Sequence, residues 1–302
     1  MSLLATSYAH CEAIMKAHSK SFYQAFRQLS EERFKGIAAV YAFCRYVDDL
    51  VDEAAPGDEA VDQQLALLAE VISGEVVPAP SAISNLPWWP AFTDSVARFA
   101  ISPKALLEQI AGQQSDRSFA FFGTMAELET YCRQVAGSVG AMLLPMLGRA
   151  DLTEEANQET YLEVCYQLGI AMQLTNILRD VGEDARNRQR VYLPEDLLAQ
   201  VGKTVENVLS LANQPRQTPP DWFVAVWKEV AKESGHLYQT FEAYLSLFDP
   251  ACQAALLSAA RIYHAIEDEI QKADYDCLYQ RHYTSKLKRL VLVQEVKKEL
   301  NK

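Results

Sequence analysis

The chain has 302 residues, of which 49% are hydrophobic and 23% are charged, the composition of a folded globular protein rather than a disordered one. It carries 40 Asp and Glu against 28 Lys and Arg, a formal net charge of −12. This excess of acid argues against a nucleic-acid scaffold, because phosphate contacts require clustered Lys and Arg. Acidic residues can instead hold cations, and cations can hold anionic substrates.

The N-terminal segment has no basic stretch ahead of an apolar run, so it predicts neither a secretion signal nor a lipid anchor. The longest uncharged runs, at 134–148 and 164–178, are shorter than the ~20 apolar residues of a membrane span. The six cysteines form no CxxC pair and the five histidines no HExxH pattern, so no zinc site is expected. The cysteines are interpreted as core residues in a reducing compartment, which predicts a cytoplasmic protein.

Apolar residues recur at three- and four-residue spacing along most of the chain, which predicts helices. The predicted helices cover 4–27, 31–54, 58–74, 90–100, 103–115, 125–148, 153–183, 221–247 and 250–273. Ser102-Pro103 predicts a helix start. Breaks are predicted at Pro56-Gly57, 78–90, 213–220 and Asp249-Pro250. Since no segment alternates like a strand and no fixed-period repeat is visible, the sequence predicts one all-α domain over 1–302.

The predicted helix over 31–54 carries polar residues where a buried face is expected. Four of them share one face at spacings of four, three and four residues: Tyr41, Arg45, Asp48 and Asp52. The pair Asp48 and Asp52 places two carboxylates about 5–6 Å apart, which destabilises a helix unless a cation lies between them. Asp49 lies on the flank of this face, turned about 100° from Asp48.

The helix predicted over 153–183, with the residues after it, shows the same arrangement. Spacings of three, four and four residues place four more polar residues on one face: Gln173, Asn176, Asp180 and Asp184. An isolated DxxxD pair is commonly a solvated helix end. Here, however, two pairs each emerge from an apolar helix beside an arginine, Arg179 in the second case. Because carboxylate oxygens and substrate phosphates suit Mg²⁺, two such pairs facing each other predict a Mg²⁺ cluster around a departing diphosphate.

Further basic residues fit a diphosphate substrate. The segment His18-Ser19-Lys20-Ser21-Phe22 offers cationic and hydroxyl donors for phosphate oxygens. Alone, Lys20 is better interpreted as a surface lysine. Arg190 and Tyr192 follow the second acidic pair closely enough to reach the same phosphate, and Arg281 is a further candidate.

Aromatic and small residues fit a long apolar chain on that substrate. Phe22 and Phe26 lie one turn apart, and most such pairs are core residues, although this pair is also placed to line a tunnel. Tyr131 precedes the small residues of 135–140 on one predicted helix. Small residues let helices approach closely or leave room beside a bound chain.

Together these motifs resemble the squalene and phytoene synthase family of head-to-head prenyl synthases. The resemblance runs from about residue 8 to about residue 290. It rests on the stretches 18–22, 41–45, 48–52, 131–132, 135–140, 173–184, 190–194 and 260–263. Within the family the pattern is most similar to the bacterial dehydrosqualene (4,4′-diapophytoene) synthases, notably over 15–22 and 144–147. The resemblance implies an all-α, single-domain isoprenoid-synthase helical fold with a central cavity.

The resemblance also implies roles for individual residues. Those implied to hold Mg²⁺, as a set of three ions once substrate is bound, are Asp48, Asp52, Asn176, Asp180 and Asp184. Those implied to contact diphosphate are His18, Lys20, Arg45, Arg179 and Arg281. Those implied to line the reaction centre are Tyr41, Tyr131, Gln173 and Tyr263.

The implied reaction joins two farnesyl diphosphates into dehydrosqualene, the first step of C30 carotenoid synthesis. One diphosphate leaves, the other molecule's double bond attacks the allyl cation, and presqualene diphosphate forms. A second ionisation, a ring rearrangement and proton loss follow, with tyrosine ring faces stabilising the cations. No NADPH is expected. The product is insoluble in water, so transient contact with a membrane surface is expected, supported only by the basic stretch 286–289 and the Lys-rich tail. A downstream desaturase as partner is not readable from the sequence.

Four alternatives stay open. Phytoene synthase joins two geranylgeranyl diphosphates; Phe26 favours a short C15 tunnel, whereas the small Ala38 leaves room for a longer chain. Squalene synthase adds a reduction by NADPH. A terpene cyclase shares the metal chemistry but commonly has dissimilar paired motifs. A non-catalytic helical interaction protein would use the acidic faces only as solvated or cation-binding surfaces.

Overall fold

The computed structural model describes residues 2–55, 58–149 and 155–301. Within these ranges the chain forms α-helices, short helical turns and loops, and a single isolated antiparallel bridge pairs Gly148 with Phe248. The all-α prediction is confirmed. The predicted break at Pro56-Gly57 and the first two residues of the predicted helix 153–183 lie outside the described residues.

The helices, in chain order, are α1 (Leu3–His18), α2 (Lys20–Phe26), α3 (Glu31–Asp52), α4 (Glu59–Ser73), α5 (Ser81–Ser84), α6 (Trp89–Phe99), α7 (Pro103–Ser115), α8 (Met125–Cys132), α9 (Ser138–Leu147), α10 (Glu155–Arg188), α11 (Glu195–Gln200), α12 (Val205–Ala212), α13 (Asp221–Ala243), α14 (Pro250–Lys272) and α15 (Lys286–Leu300). The start predicted at Ser102-Pro103 is confirmed, with Pro103 at the first position of α7. The end of α4 is set by Gly74 at φ +83°, a conformation that a side chain disfavours.

Two predicted helices are interrupted. Residues 4–27 do not form one helix, because Ser19 adopts φ −138° and its hydroxyl accepts a hydrogen bond from Phe22 N (3.4 Å), which starts α2. Residues 125–148 are likewise not one helix, because the π-helical turn Arg133–Gly137 separates α8 from α9. Both interruptions lie beside candidate site residues, and π-turns such as Arg133–Gly137 are frequent at functional sites.

Four helices are not predicted from the apolar spacing of the sequence: α5, α11, α12 and α15. The first three are too short to show several turns of apolar spacing. α15 is longer, but Val296 is its single buried residue, so its apolar residues do not form the inward stripe that identifies a helix from sequence.

The chain forms two compact units. The first contains Met1–Ser118, Gln134–Tyr166 and Leu245–Leu256. At its centre lies α3, against which α1, α6, α7 and α9 pack. Phe43 of α3 is fully buried and stacks on Phe92 with ring centroids 4.8 Å apart. A Cβ on Gly140 would lie 2.1 Å from the Cys165 carbonyl oxygen, so α9 and α10 approach backbone to backbone there.

The second unit contains Phe119–Arg133, Gln167–Tyr244 and Leu257–Lys302. Its α10 segment is held by three contacts. Thr175 Oγ1 donates to Glu267 Oε1 (2.5 Å), and Trp227 Nε1 donates to the Leu178 carbonyl (3.2 Å). A Cβ on Gly182 would lie 1.8 Å from the carbonyl oxygen of Leu278, so the two backbones touch. Positions 175, 178 and 182 lie on the side of the helix opposite 173, 176, 180 and 184.

The six cysteines are free thiols; five are buried and Cys44 is half-buried. None of the helices in the described ranges has the length and apolar character that crossing a bilayer requires.

Candidate active site

The first acidic face lies on the C-terminal half of α3, in the first unit. Tyr41, Arg45 and Asp48 are half-buried and Asp52 is exposed, whereas Val47 between them is fully covered. Further toward the N-terminus of α3, the same face is closed by the buried side chains of Phe34 and Ala38. The face therefore runs from apolar to acidic, as the spacing predicts.

Arg45 supplies positive charge to this face. Its Nη1 lies 3.3 Å from Asp48 Oδ2, and its guanidinium forms a second ion pair with Asp49. The flank position of Asp49 thus brings it onto the same arginine. The arginine offsets part of the like-charge repulsion that neighbouring carboxylates create.

An aromatic cluster adjoins this face in the same unit. Phe22 and Phe26 of α2 meet edge to face at 5.7 Å, and Phe22 meets Tyr41 of α3 at 6.4 Å. Phe26 is only 3% exposed. Along the junction of α1 and α2, His18 and Lys20 are exposed, and Ser19 and Ser21 are half-buried.

The second acidic face lies on α10, in the second unit. Its four residues are half-buried on a helix whose neighbouring residues are mostly buried: Gln173, Asn176, Asp180 and Asp184. Asn176 Nδ2 donates to Gln173 Oε1 (3.2 Å), which leaves the Asn176 carbonyl oxygen as the acceptor toward this face. The predicted shared face is therefore formed here as well.

Two arginines hold Asp180. Arg179 binds it through two hydrogen bonds, Nε to Oδ1 (2.8 Å) and Nη2 to Oδ2 (2.6 Å). Arg281 adds contacts of 2.9 Å to both carboxylate oxygens. The Tyr283 ring lies 5.6 Å from each guanidinium. The structure thus brings Arg281 onto the second acidic face, where it shares the Asp180 carboxylate with Arg179.

The surroundings of Asp184 disfavour the charged form of its carboxyl. Burial, and next the charge of Asp180, raise the pKa of its carboxyl to about 7. Among the described residues, no three His, Cys, Asp or Glu side chains are grouped closely enough to hold a metal ion by themselves. A crowded pair of carboxylates with an amide oxygen one turn earlier nevertheless fits the oxygen donors that Mg²⁺ takes together with substrate phosphates.

Aromatic rings surround Tyr131 and Tyr192 in the second unit. The two tyrosine rings lie 5.6 Å apart, and Arg190 Nη1 donates to the Tyr192 hydroxyl (3.3 Å). Phe119 and Phe122 pack against this pair. The sequence reasoning missed both phenylalanines, although the aromatic run at 119–122 just ahead of Tyr131 was the available signal.

Tyr263 is half-buried on α14, one turn ahead of Glu267. Glu267 is 2% exposed and accepts hydrogen bonds from Thr175 and from Ser234 (2.7 Å). Because Thr175 belongs to α10, this buried carboxyl ties the helix of the second acidic face to the helix of Tyr263.

Comparison with known proteins identifies the family. The family model described as squalene/phytoene synthase matches residues 15–289. The chain is 33% identical to the 4,4′-diapophytoene synthase of Staphylococcus haemolyticus, over 99% of each protein. It is 31% identical to phytoene synthase 2 of Solanum lycopersicum, over 96% of this chain and 90% of the relative.

A solved structure extends the likeness to the fold. The crystal structure of a dehydrosqualene synthase in complex with ligand superposes with a TM-score of 0.83 at 34% identity, covering 99% of this chain and 98% of the other. The fold prediction of an isoprenoid-synthase helical architecture is thereby confirmed. The chain therefore belongs to the squalene/phytoene synthase family of prenyltransferases.

Proposed function

We propose that this prenyltransferase joins two farnesyl diphosphates head to head and releases dehydrosqualene (4,4′-diapophytoene), the first step of C30 carotenoid synthesis. The observation that carries the proposal is the full-length similarity to a 4,4′-diapophytoene synthase and to the dehydrosqualene synthase structure. The acidic faces on α3 and α10 supply the chemistry that such a reaction needs, namely carboxylates for a metal and arginines for a diphosphate.

The proposed Mg²⁺ ligands are Asp48 and Asp52 in the first unit and Asn176, Asp180 and Asp184 in the second. Bound Mg²⁺, as a set of three ions with substrate, supplies positive charge to a leaving diphosphate. The raised pKa of Asp184 supports this assignment, because a bound divalent cation would offset both the burial and the charge of Asp180 that raise it.

The proposed diphosphate-binding groups are cations, hydroxyls and an amide, exposed or half-buried except for the buried Arg179 and Tyr192: His18, Ser19, Lys20, Ser21, Arg45, Asn176, Arg179, Arg190, Tyr192 and Arg281. Arg179 and Arg281 hold Asp180 in the structure. When diphosphate and its metal arrive together, these guanidiniums can exchange the carboxylate for phosphate oxygens at little cost, because both partners are anionic and bidentate.

The proposed reaction consumes no reductant, and NADPH is accordingly not required. Ionisation of the first farnesyl diphosphate releases diphosphate, and the second molecule's double bond attacks the allyl cation with loss of a proton, which yields presqualene diphosphate. A second ionisation, opening of the cyclopropane and loss of another proton yield the hydrocarbon. The proposed reaction-centre residues are Tyr41, Tyr131, Gln173 and Tyr263, whose tyrosine rings stabilise the cations. The leaving diphosphate is a candidate proton acceptor.

Phytoene synthesis from two geranylgeranyl diphosphates is the second candidate, favoured by the similarity to a tomato phytoene synthase. The buried Phe26, packed edge to face on Phe22, supports a tunnel that ends at a C15 chain. Ala38, also buried, favours a longer chain because of its small volume.

The test is incubation of the protein with Mg²⁺ and each prenyl diphosphate separately, followed by product identification by mass. We expect a C30 hydrocarbon from farnesyl diphosphate without NADPH. A C40 product, with none from farnesyl diphosphate, would overturn the chain-length assignment. Formation of squalene only when NADPH is added would show the reductive reaction instead. Asp48→Ala and Asp180→Ala, folded by circular dichroism, are expected to abolish product; unchanged product formation would show that these carboxylates do not hold the catalytic metal.

A further inference from the structure

Three separate stretches of the second unit meet around Tyr131 and Tyr192. Tyr131 lies in the last turn of α8, and Tyr192 lies in the segment 190–194 between α10 and α11. The third stretch, 119–124, is attached to both. The Phe122 carbonyl accepts from Glu195 N (2.9 Å), at the start of α11, and Gly123 N donates to Glu127 Oε2 (2.7 Å), in the first turn of α8. The stretch 119–124 therefore links the two tyrosine-bearing elements.

Phe122 packs against both tyrosines, whose rings also contact each other. Its ring centroid is 5.2 Å from that of Tyr131 and 6.0 Å from that of Tyr192, with the latter pair stacked at 22°. Tyr131 and Tyr192 are buried, whereas Phe122 is half-buried. Removing this ring would take one packing partner from each tyrosine and weaken the packing that holds the two rings in place.

Phe119 contacts a different pair of groups. The guanidinium carbon of Arg190 lies 5.2 Å from the centre of the Phe119 ring, within the range of a cation–π contact. The same ring meets Tyr192 edge to face at 5.1 Å. The Phe119 ring and the Tyr192 hydroxyl both contact the Arg190 guanidinium. These contacts restrict the rotamers of Arg190 and so pre-orient its side chain.

We propose that Phe119 and Phe122 are positioning residues with separate tasks: Phe119 orients Arg190 and Tyr192 for the substrate's diphosphate, and Phe122 orients Tyr131 toward the cations formed in the reaction. The inference rests on the proposed function for the roles of Arg190 and the tyrosines. The inference predicts different kinetic effects for substitutions of the two phenylalanines, whereas a general loss of packing would give similar effects for both. Phe119 acts on anion affinity, and Phe122 acts on the chemical step.

The test compares Phe119→Leu, Phe122→Leu, Phe122→Tyr and Phe121→Leu with the wild type. Phe121 is the matched control, because it belongs to the same stretch and packs on Phe119 but is exposed. Affinity for inorganic diphosphate with Mg²⁺ is measured by calorimetry. Turnover of farnesyl diphosphate is measured as kcat, KM and the ratio of released presqualene diphosphate to hydrocarbon. Circular dichroism and melting temperature report folding.

For Phe119→Leu we expect diphosphate affinity to fall about three- to tenfold, the effect of losing one cation–π contact, with KM rising in parallel and kcat little changed. For Phe122→Leu we expect at least about a tenfold loss of kcat and more released intermediate, at unchanged diphosphate affinity. Phe122→Tyr, which keeps the ring, is expected to retain the wild-type kcat. Phe121→Leu is expected to match the wild type in all these quantities.

The inference fails if Phe119→Leu and Phe122→Leu behave alike, or if both match Phe121→Leu in an active enzyme. Wild-type protein that makes no product from any prenyl diphosphate would refute the proposed function instead. In that case the calorimetric comparison of Phe119→Leu with Phe121→Leu still decides whether Phe119 supports anion binding.

Discussion

Burial is the main cause that raises the pKa of two carboxyls in the second unit, Asp184 and Glu267. The other groups that shift the pKa differ between the two. Burial and the charge of Asp180 raise the pKa of Asp184 to about 7. Burial first, and the charge of Asp268 to a lesser degree, raise the pKa of Glu267 to about 7, although hydrogen bonds from Thr175 and Ser234 work in the other direction. Asp184 lies on the acidic face of α10, whereas Glu267 contacts Thr175 on the opposite side of the same helix.

The substitution Asp184→Asn is expected to stabilise the protein and to weaken its response to metal. Removing a charge that burial disfavours should raise the melting temperature at pH 8 without Mg²⁺. The stabilisation that Mg²⁺ and inorganic diphosphate give the wild type should need at least about tenfold more Mg²⁺, by analogy with the loss of a metal-site contact. Thermal melts over a Mg²⁺ titration measure both effects.

Glu229→Gln, at an exposed position on α13, is the control for Asp184→Asn and should change neither quantity. If Asp184→Asn kept the full response to Mg²⁺ and diphosphate, Asp184 would not be a metal ligand.

Because the pKa of Glu267 is raised, we expect the folded protein to lose stability as pH rises from about 4.5 to about 7. Its pKa in the folded state lies above the ordinary value of 4.5, so the folded protein binds more protons than the unfolded chain in this window. The stabilising effect is complete below the unfolded pKa and is lost as pH rises through the folded one. The full change is about 3 kcal/mol at most, from 1.36 kcal/mol per pKa unit.

Glu267→Gln, which still accepts from Thr175 and Ser234, should flatten this dependence. We expect urea unfolding at pH 8 to show the variant to be more stable than the wild type, and the two to converge near pH 5. Burial lowers the pKa of the neighbouring His264, which destabilises both proteins equally in acid. Parallel curves for variant and wild type would show that Glu267 is ionised throughout.

At the scale of elements, α10 combines two functions on opposite sides. One side presents Gln173, Asn176, Asp180 and Asp184, and the other is fixed at 175, 178 and 182. A helix that presents the proposed ligands at constant positions benefits from such fixation, because binding and catalysis depend on groups held in a fixed geometry. The contacts at 175 and 178 are hydrogen bonds, and the contact at 182 is a close backbone approach.

The substitution Gly182→Ala tests the close approach. A Cβ there would lie 1.8 Å from the Leu278 carbonyl oxygen, so the helix must move, at a cost of about 3 kcal/mol or more. Gly235→Ala is the matched control, since the nearest atom, His264 Nε2, is 3.9 Å from the added Cβ. Replacing that helical glycine should stabilise the protein by about 1 kcal/mol or less. Denaturant unfolding of both variants measures the difference; equal stabilities would contradict the predicted clash.

At the scale of the whole molecule, the net charge of −12 coexists with a basic, apolar C-terminal helix. On α15, Leu287, Leu290 and Val291 are 73%, 53% and 43% exposed. Lys286, Lys297 and Lys298 are also exposed. Exposed apolar groups with lysines beside them favour the surface of an anionic bilayer. These exposed leucines and valine add apolar groups to the basic stretch 286–289 and the Lys-rich tail, on which the expected transient membrane contact rests.

Flotation with anionic liposomes should therefore depend on α15. The double substitution Leu287→Gln with Leu290→Gln is expected to reduce the bound fraction several-fold at physiological salt, because each removes buried apolar area from the bilayer. Leu3→Gln is the control, since Leu3 is 77% exposed but lies on α1. Equal flotation of all variants, or none by the wild type, would eliminate α15 as the contact surface.

The sequence by itself determined the helices with several turns of apolar spacing and the polar face that each acidic helix presents. Residues such as Asp180 and Asp184 share a face because of helical geometry alone, which is a local property. The tertiary structure decided the partners of those faces. Arg281 reaches Asp180 across 101 positions of chain, and Glu267 reaches Thr175 across 92. The proposed roles of Phe119 and Phe122 depend on tertiary contacts with Tyr131 and Tyr192. The apolar periodicity of a sequence carries no information about contacts between separate elements.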